Sequence, residues 1–163
     1  MIYLRPLKSY DIENLFKIKS NPLNFNKKFT NFDTKTVTRE SIKAWFYNFI
    51  NEIDTVRLGI CLSNNNILIG CITLGKVDYK NSLCELHINI DNLYQNKGYG
   101  KQSLLLLLEY IKNILKIKKV YLNVHKEHIN AIHLYKKIGF NLIKELNNNF
   151  NTMEINLFNR FNI

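Results

Sequence analysis

Apolar and polar residues alternate along several stretches of the chain, and this period of two predicts β-strands. The clearest example is Cys84-Glu85-Leu86-His87-Ile88-Asn89-Ile90, in which Leu86, Ile88 and Ile90 share one face and the polar residues share the other. A second period, of about 3.6 residues, predicts a helix over residues 101–117. Its apolar positions are Leu104, Leu107, Leu108, Ile111, Ile114 and Leu115.

The same two periods divide the whole chain into strands and helices. We predict strands over residues 2–7, 56–63, 67–77, 83–90, 120–125, 142–146 and 153–158, and helices over 12–20, 39–51, 101–117 and 131–138. Thr38 is placed to cap the second helix, and Asn64 to Asn66 form a hairpin turn. An antiparallel meander is thus followed by a β-α-β-α-β arrangement, which is an α+β fold with a mixed sheet. No linker or repeat divides the chain, so residues 1–163 are expected to form a single domain.

The strands at residues 83–90 and 120–125 are predicted to be parallel neighbours, because a helix connects them. Both carry polar residues on one face: Glu85, His87, Asn89 and Asp91 on the first, and Tyr121, Asn123 and His125 on the second. Central parallel strands are normally apolar on both faces. The pattern therefore predicts a wetted cleft across the sheet, and a solvated face without a site is the alternative.

A turn with two glycines joins the first of these strands to the long helix. It reads Gln95-Asn96-Lys97-Gly98-Tyr99-Gly100. A helix N-terminus presents free N–H groups and a partial positive charge, and glycines let a ligand approach the backbone without meeting a Cβ. The turn is therefore a candidate anion site, and an ordinary strand-to-helix turn is the alternative reading.

Composition narrows the classes of function. The chain has 23 basic and 13 acidic side chains, a formal net charge of +10, with 46% hydrophobic and 22% charged residues. The lysines are scattered and form no dense basic block among aromatics, so we expect no nucleic-acid partner. The positive field favours anionic ligands over a polyamine. No apolar run approaches a membrane span, and the N-terminus lacks a signal-peptide layout, so a cytoplasmic protein without membrane contact is expected.

The three cysteines, Cys61, Cys71 and Cys84, lie in strand-like segments without the spacing of metal ligands. An odd number of cysteines in such a domain indicates buried, reduced thiols. A nucleophilic Cys84 is the less favoured alternative. No histidine–carboxylate cluster has the spacing of a metal site either, so no metal is expected.

Three motifs together resemble the GNAT superfamily of N-acetyltransferases. The Gln-x-x-Gly-x-Gly turn resembles the superfamily's acyl-CoA pyrophosphate loop. The segment from Asn130 through Tyr135 to Gly139-Phe140 resembles its second landmark, and Leu4-Arg5-Pro6-Leu7 with Asp11 looks like its first strand and helix. The likeness extends over essentially the whole chain and suits the branch that holds ribosomal-protein N-terminal, spermidine and amino-sugar acetyltransferases.

The resemblance implies a GNAT fold: a mixed, mostly antiparallel sheet flanked by helices, with a splayed parallel central pair between which the pantetheine arm of acetyl-CoA lies. It also implies acetyl-CoA as cosubstrate. The strand edge around Ile88 and Ile90 would pair with the pantetheine amides, and Asn130, which is placed to cap its helix, would touch the same arm. Backbone amides along the turn would hold the pyrophosphate, from Gln95, Asn96, Lys97, Gly98, Tyr99, Gly100 and Lys101.

Two side chains carry the implied catalysis. Tyr135 would protonate the departing CoA thiolate, as a tyrosine at this position does in many GNAT enzymes, although its helical face also suits a plain core residue. Glu85 would take a proton from the attacking amine or would position it. Ribosomal-protein acetyltransferases can place a Glu on the next strand, where this chain has Asn123. Gly139 is expected to end its helix in a left-handed conformation, with Phe140 covering the end.

The predicted function is therefore an acetyl-CoA-dependent N-acetyltransferase that transfers acetyl directly to a primary amine. The net charge favours a small anionic acceptor, such as a nucleotide-linked amino sugar, with Asn26-Lys27-Lys28-Phe29 meeting its phosphate. Protein N-termini and polyamines are alternative acceptors. A non-catalytic acyl-CoA-binding domain is the alternative from another class, and a homodimer is left open.

Overall fold

A computed structural model describes residues 1–26, 28–30, 32–49, 52–146 and 149–158. Its strands are β1 (Ile2–Pro6), β2 (Val56–Leu62), β3 (Leu68–Asp78), β4 (Leu83–Ile90), β5 (Lys119–His125), β6 (Asn141–Glu145) and β7 (Phe150–Asn156). Its helices are α1 (Ile12–Ser20), α2 (Arg39–Phe49), α3 (Tyr99–Tyr110) and α4 (Ile129–Ile138). The predicted end of α2, at Asn51, lies outside the described residues.

The seven strands of the described residues belong to one sheet, in the order β1-β2-β3-β4-β5-β7-β6. Neighbouring strands are antiparallel except for β4 and β5, which are parallel. The α+β class and the mixed, mostly antiparallel sheet with a parallel central pair are therefore confirmed. The connection through α3 explains the parallel pair, since a crossover returns the chain to the same end of the sheet.

The two faces of the sheet are covered by different helices. On one face, Leu104 and Leu107 of α3 and Ile138 of α4 pack on buried residues of β3, β4 and β5. On the other face, α1 and α2 form a second cluster that includes Leu15 and Phe46. The polar residues of β4 and β5 lie on this second face, beyond the apolar cluster under α1 and α2.

Two helix ends follow the predicted capping chemistry. Thr38 precedes α2, and its hydroxyl oxygen accepts a hydrogen bond from the Ser41 N–H at 3.0 Å. Gly139 follows α4 with φ of 110°, and the Phe140 N–H donates to the Tyr135 carbonyl at 3.0 Å. Together with the bond from the Gly139 N–H to the Lys136 carbonyl, this is a Schellman motif. Phe140 is buried against the helix end, as predicted.

The long third helix departs from a single period. After α3, residues Ile111–Leu115 form a π-helical turn, which ends at Lys116 in a left-handed conformation. A π turn holds more residues than an α turn and so rotates the following side chains. Ile114, predicted on the apolar face, is therefore exposed, whereas Ile111 is buried.

A buried ion pair ties β1 to the start of α1. The guanidinium of Arg5 donates to both carboxylate oxygens of Asp11, at 2.7 and 2.8 Å, and Asp11 is 1% exposed. The Lys8 N–H donates to the same carboxylate at 2.7 Å. Asp11 thus fixes the turn that carries the chain from the sheet onto α1.

Replacing Asp11 by Ala is expected to destabilise the fold by about 3–5 kcal/mol, because the largely buried Arg5 guanidinium loses its partner. Urea unfolding followed by circular dichroism measures the effect. Glu13→Ala is the control, since Glu13 forms an exposed pair with Arg39 and its loss should change little. Equal unfolding midpoints for D11A and the wild-type protein would contradict this role of Asp11.

Candidate active site

The parallel pair β4 and β5 separates soon after it begins. Its pairing extends from Leu83 opposite Lys119 to Glu85 opposite Tyr121, over three residue pairs. Beyond them a cleft of about 190 Å³ opens between the strands. It is lined by Phe29, Leu86, His87, Ile88, Leu122, Asn123, Val124, His125, His128, Tyr135 and Phe150.

The cleft connects the two faces of the sheet. Side chains alternate along each strand, so Leu86 and Leu122 line it from the side of α4, and His87 and Asn123 line it from the opposite side. Tyr135 of α4 reaches the cleft from the first side. A molecule lying between the strands can therefore contact the Tyr135 side chain and a second molecule held on the polar face.

The open edge of β4 presents backbone hydrogen-bonding groups to this cleft. The Asp91 N–H donates to the Ile69 carbonyl, so Ile90 and Gly70 form a non-hydrogen-bonded pair of the antiparallel ladder. By the alternation of that ladder, Ile88 and Ile90 direct their peptide groups away from β3 and toward β5. The described pairing of β4 with β5 has ended before both residues. Their peptide groups thus face the place where the pantetheine amides are expected.

The glycine turn has the backbone shape of an anion site. Asn96 and Gly98 both adopt positive φ, 58° and 81°. The first bond within α3 runs from the Gln102 N–H to the Gly98 carbonyl, so helix geometry leaves the N–H groups of Tyr99, Gly100 and Lys101 without intrahelical acceptors. They lie at the positive end of the helix dipole.

Space around the two glycines is also open. A Cβ built on Gly98 would meet no atom within 4 Å, and one on Gly100 would be 3.5 Å from Leu134, an ordinary contact. Packing within the described protein therefore does not require glycine at position 100. A ligand that lies close to the backbone would require it. At position 98 the positive φ is reason enough for glycine.

Side chains of the turn support its position. The Gln95 amide donates to the Ile90 carbonyl at 2.8 Å and ties the turn to the end of β4. This contact uses one lone pair of a carbonyl expected to meet the pantetheine arm. The ammonium of Lys97 lies 5.5 Å from the centre of the Tyr94 ring and adds positive charge beside the turn.

Glu85 is buried at the last paired position of β4. Its carboxylate accepts hydrogen bonds from Asn123 at 3.1 Å and from the Tyr121 hydroxyl at 3.4 Å, and the Lys76 ammonium lies 2.6 Å away. Burial raises its pKa, but the hydrogen bond from Lys76 and the influence of His87 outweigh burial, so the pKa lies below its ordinary value. Glu85 is therefore a carboxylate at neutral pH.

Tyr135 packs its ring edge-on against Phe140, with 5.8 Å between ring centres. Burial raises the pKa of its phenol to about 12. The hydroxyl thus stays protonated at neutral pH, which a proton donor requires.

Asn130 lies elsewhere in its helix than predicted. We expected it at the N-cap, but α4 begins at Ile129, and the His128 carbonyl accepts the first helical bond from Ile132. The prediction was wrong because α4 begins at Ile129, two residues before the predicted start at Ala131, so His128 and not Asn130 is the N-cap. Asn130 is exposed in the first turn.

Sequence reasoning placed His125 on the cleft face and Phe29 in the acceptor segment, but it missed His128 and Phe150 and the ring contacts that form the rim of the cleft. Phe29 stacks on His128 with 4.5 Å between ring centres, and Phe150 meets His125 edge-on at 5.3 Å. The four residues come from the loop before α2, the end of β5, the residue ahead of α4 and β7, so no local pattern connects them.

The segment expected to meet an anionic acceptor is engaged elsewhere. The Lys28 ammonium lies 2.9 Å from a carboxylate oxygen of Glu127, and Lys27 lies outside the described residues. Phe29 does reach the cleft, against the histidine ring.

The three cysteines are free, with Cys61 and Cys84 buried and Cys71 partly buried. Burial raises the pKa of both Cys71 and Cys84 to about 12, so neither thiol is ionised at neutral pH. Among the described residues, no group of three or more His, Cys, Asp or Glu side chains is placed to hold a metal ion. No helix in that part of the chain is long and apolar enough to cross a membrane.

The cleft, the glycine turn and Tyr135 are formed largely by a segment that matches a known protein family. Residues 2–141 match the family model described as Acetyltransferase (GNAT) domain. The chain belongs to the GNAT acetyltransferase family. GNAT acetyltransferases use acetyl-CoA, so the expected family and cosubstrate are confirmed.

Curated relatives of this GNAT domain include two polyamine acetyltransferases. The spermine/spermidine N(1)-acetyltransferase of Bacillus subtilis (strain 168) is 40% identical over 60 residues, 37% of this chain and 40% of the relative. The spermidine N(1)-acetyltransferase of Escherichia coli (strain K12) is 35% identical over 81 residues, 50% of this chain and 44% of the relative. The chain thus spans less than half the length of these relatives.

Solved structures share the fold over nearly the full chain. Spermidine N-acetyltransferase from Vibrio cholerae, in complex with CoA and spermine, has a TM-score of 0.85 at 22% identity and covers 96% of both chains. A domain from Methanocaldococcus jannaschii has a TM-score of 0.78 at 25% identity, over 96% of this chain and 98% of that one. The arrangement of strands around the cleft is therefore the GNAT fold.

Gly98→Asp is expected to weaken acetyl-CoA binding by more than about tenfold, because a carboxylate would enter the expected pyrophosphate path. Gly98→Asn is the matched control, since asparagine has the same size and tolerates positive φ but is uncharged. Isothermal titration calorimetry with CoA measures both. Equal affinities for the two variants would exclude an anion site at the turn.

Proposed function

We propose that this chain transfers the acetyl group of acetyl-CoA to a primary amine of a polyamine such as spermidine. The observation that carries the proposal is the cleft between β4 and β5, which brings Tyr135 and the polar face of the sheet to one opening in a GNAT domain. The turn before α3 would hold the pyrophosphate, through backbone amides from Gln95 to Lys101. The peptide groups of Ile88 and Ile90 would pair with the pantetheine arm.

Transfer would be direct, with both substrates bound. The amine nitrogen attacks the thioester carbonyl carbon, the carbon–sulfur bond breaks, and the sulfur leaves as a thiolate. Tyr135 supplies the proton to that sulfur, and its raised pKa keeps the phenol protonated until then.

The amine enters as an ammonium and must lose a proton. Glu85 is the carboxylate on the polar face nearest to the opening of the strands, and Asn123 connects it to the cleft lining. In our proposal Glu85 attracts the ammonium and takes up its proton, directly or through a water molecule. Its lowered pKa makes it a weak base that stays charged, which suits attraction of a cation.

Local charge supports a polyamine over an anionic acceptor. A depression of about 610 Å³ is lined by Lys76 and Tyr121, the two side chains that contact Glu85 Oε2, and also by Asp54 and Asp78. Charges farther than about 8 Å are largely screened at physiological salt, so these carboxylates matter more than the net charge of the whole surface. The curated relatives, which are named as spermidine or spermine acetyltransferases, favour the same acceptor class.

An amine panel tests the acceptor class. CoA release from acetyl-CoA would be followed with spermidine, spermine, a peptide N-terminus and a nucleotide-linked amino sugar. We expect kcat/KM for the polyamines to exceed the others by at least about tenfold. Faster turnover of the amino-sugar nucleotide would reverse the choice, and tight CoA binding without turnover of any amine would indicate a non-catalytic binding domain.

Tyr135→Phe is expected to lower kcat on the order of 10²–10³-fold with little change in CoA affinity, because only the proton donor is lost. Steady-state kinetics with the best acceptor and calorimetry with CoA separate the two effects. Tyr110→Phe, in α3 and outside the cleft lining, is the control. Normal turnover by Y135F would make Tyr135 a core residue.

A further inference from the structure

Lys76 reaches Glu85 because the ladder between β3 and β4 is irregular. The register shifts between Gly75 and Asp78, and Lys76 adopts a left-handed conformation with φ of 50°. A bulge of this kind redirects a side chain that would otherwise alternate between faces. Gly75 lies directly opposite Glu85, and a Cβ built on it would meet no atom within 4 Å. Space beside the carboxylate is therefore open on the side from which Lys76 approaches.

The two partners of this ion pair differ in burial. The Lys76 side chain is 74% exposed and the Glu85 side chain is 6% exposed, yet the ammonium nitrogen lies 2.6 Å from Oε2. Tyr121 and Asn123 hold the carboxylate from β5, and the exposed His87 lies 3.7 Å from Oε1. Lys76 is thus a flexible, solvated cation on an otherwise fixed carboxylate.

We propose that Lys76 occupies the position on Glu85 at which the ammonium group of the acceptor binds. Lys76 is thus a specificity-determining residue that a polycation displaces. This inference rests on the proposed function and names a residue that controls acceptor affinity. A lysine side chain ends in a primary alkylammonium, which is the reacting group of a polyamine. The two cations therefore compete for one carboxylate oxygen.

The surroundings of Glu85 favour displacement of Lys76 by a polycation more than by a molecule with a single ammonium group. Water can solvate the exposed Lys76 ammonium when it leaves, and an incoming ammonium keeps the buried Glu85 carboxylate paired. Lys76 and Tyr121 also line the depression that holds Asp54 and Asp78. A polyamine can place one ammonium on Glu85 and another near these carboxylates, whereas Lys76 supplies one charge only.

Lys76→Met tests the proposal, because methionine keeps much of the side-chain length and removes the charge. Spermidine would be titrated into CoA-saturated protein while the carboxyl carbon signal of Glu85 is followed by NMR, with the signal assigned through Glu85→Gln. We expect K76M to bind spermidine at least about fivefold more tightly than the wild-type protein. Lys76→Arg, which keeps a cation, should bind spermidine as the wild-type protein does.

Lys80→Met is the matched control, since Lys80 is exposed in the turn between the same two strands. It removes the same charge from the surface and should leave spermidine affinity unchanged. The Glu85 pKa is a second readout: without the Lys76 hydrogen bond the pKa should rise in K76M and stay unchanged in K80M. A purely structural role of Lys76 would instead alter CoA affinity or thermal stability.

Three outcomes would overturn the inference: equal spermidine affinity in K76M and the wild-type protein, an equal gain in K80M, or no effect of spermidine on the Glu85 signal in either protein. The proposed function fails separately, when spermidine binds but the amine panel yields no acetylated polyamine. Tighter binding in K76M without turnover would therefore support the role of Lys76 and reject polyamine acetylation. Acetylation of polyamines together with equal spermidine affinity in K76M and the wild-type protein would support polyamine acetylation and reject the role of Lys76.

Discussion

The early separation of β4 and β5 is the constraint on which the rest of the site depends. Three residue pairs hold the strands together, and beyond Glu85 the edge of β4 faces a cleft. Backbone groups that leave a ladder need other partners, from water or a ligand. In our proposal the amide groups of the acyl-CoA arm are those partners. The strand edge and the glycine turn are adjacent because the turn follows the end of β4, and Tyr135 lines the same cleft from α4.

Glu85 marks the point at which the strands part, and a hydrogen-bonded chain fixes it there. The Thr152 hydroxyl donates to the Asn123 side-chain carbonyl at 2.7 Å, and the Asn123 amide donates to Glu85 at 3.1 Å. β7, β5 and β4 are thus connected across the polar face. A buried carboxylate with several partners keeps its charge and its position. Lys76 of β3 and His87 of β4 approach the same carboxylate with highly exposed side chains, and of these two Lys76 makes the shorter contact.

Net charge and local charge indicate different acceptors here. A formal charge of +10 led us to expect an anionic amine, but a long-range field chiefly affects encounter rates and is screened by salt. Affinity depends on the groups that line the site. Asp54 and Asp78 line the depression beside Lys76 and Tyr121, Lys28 is paired with Glu127, and the two curated relatives described above are named for polyamines. The proposed polyamine acceptor therefore rests on these local features and not on the scattered surface lysines.

The sequence by itself determined what depends on neighbours along the chain. Alternation placed β4 at residues 83–90, and glycine chemistry placed the end of α4 at Gly139, because periodicity and φ preference are local properties. Tertiary structure decided the rest. Phe29 stacks on His128, and β4 separates from β5, through contacts between segments that are distant in sequence. The bulge that turns Lys76 onto Glu85 depends on how β3 pairs with β4. Such contacts depend on how whole strands and loops meet, and no short pattern records that.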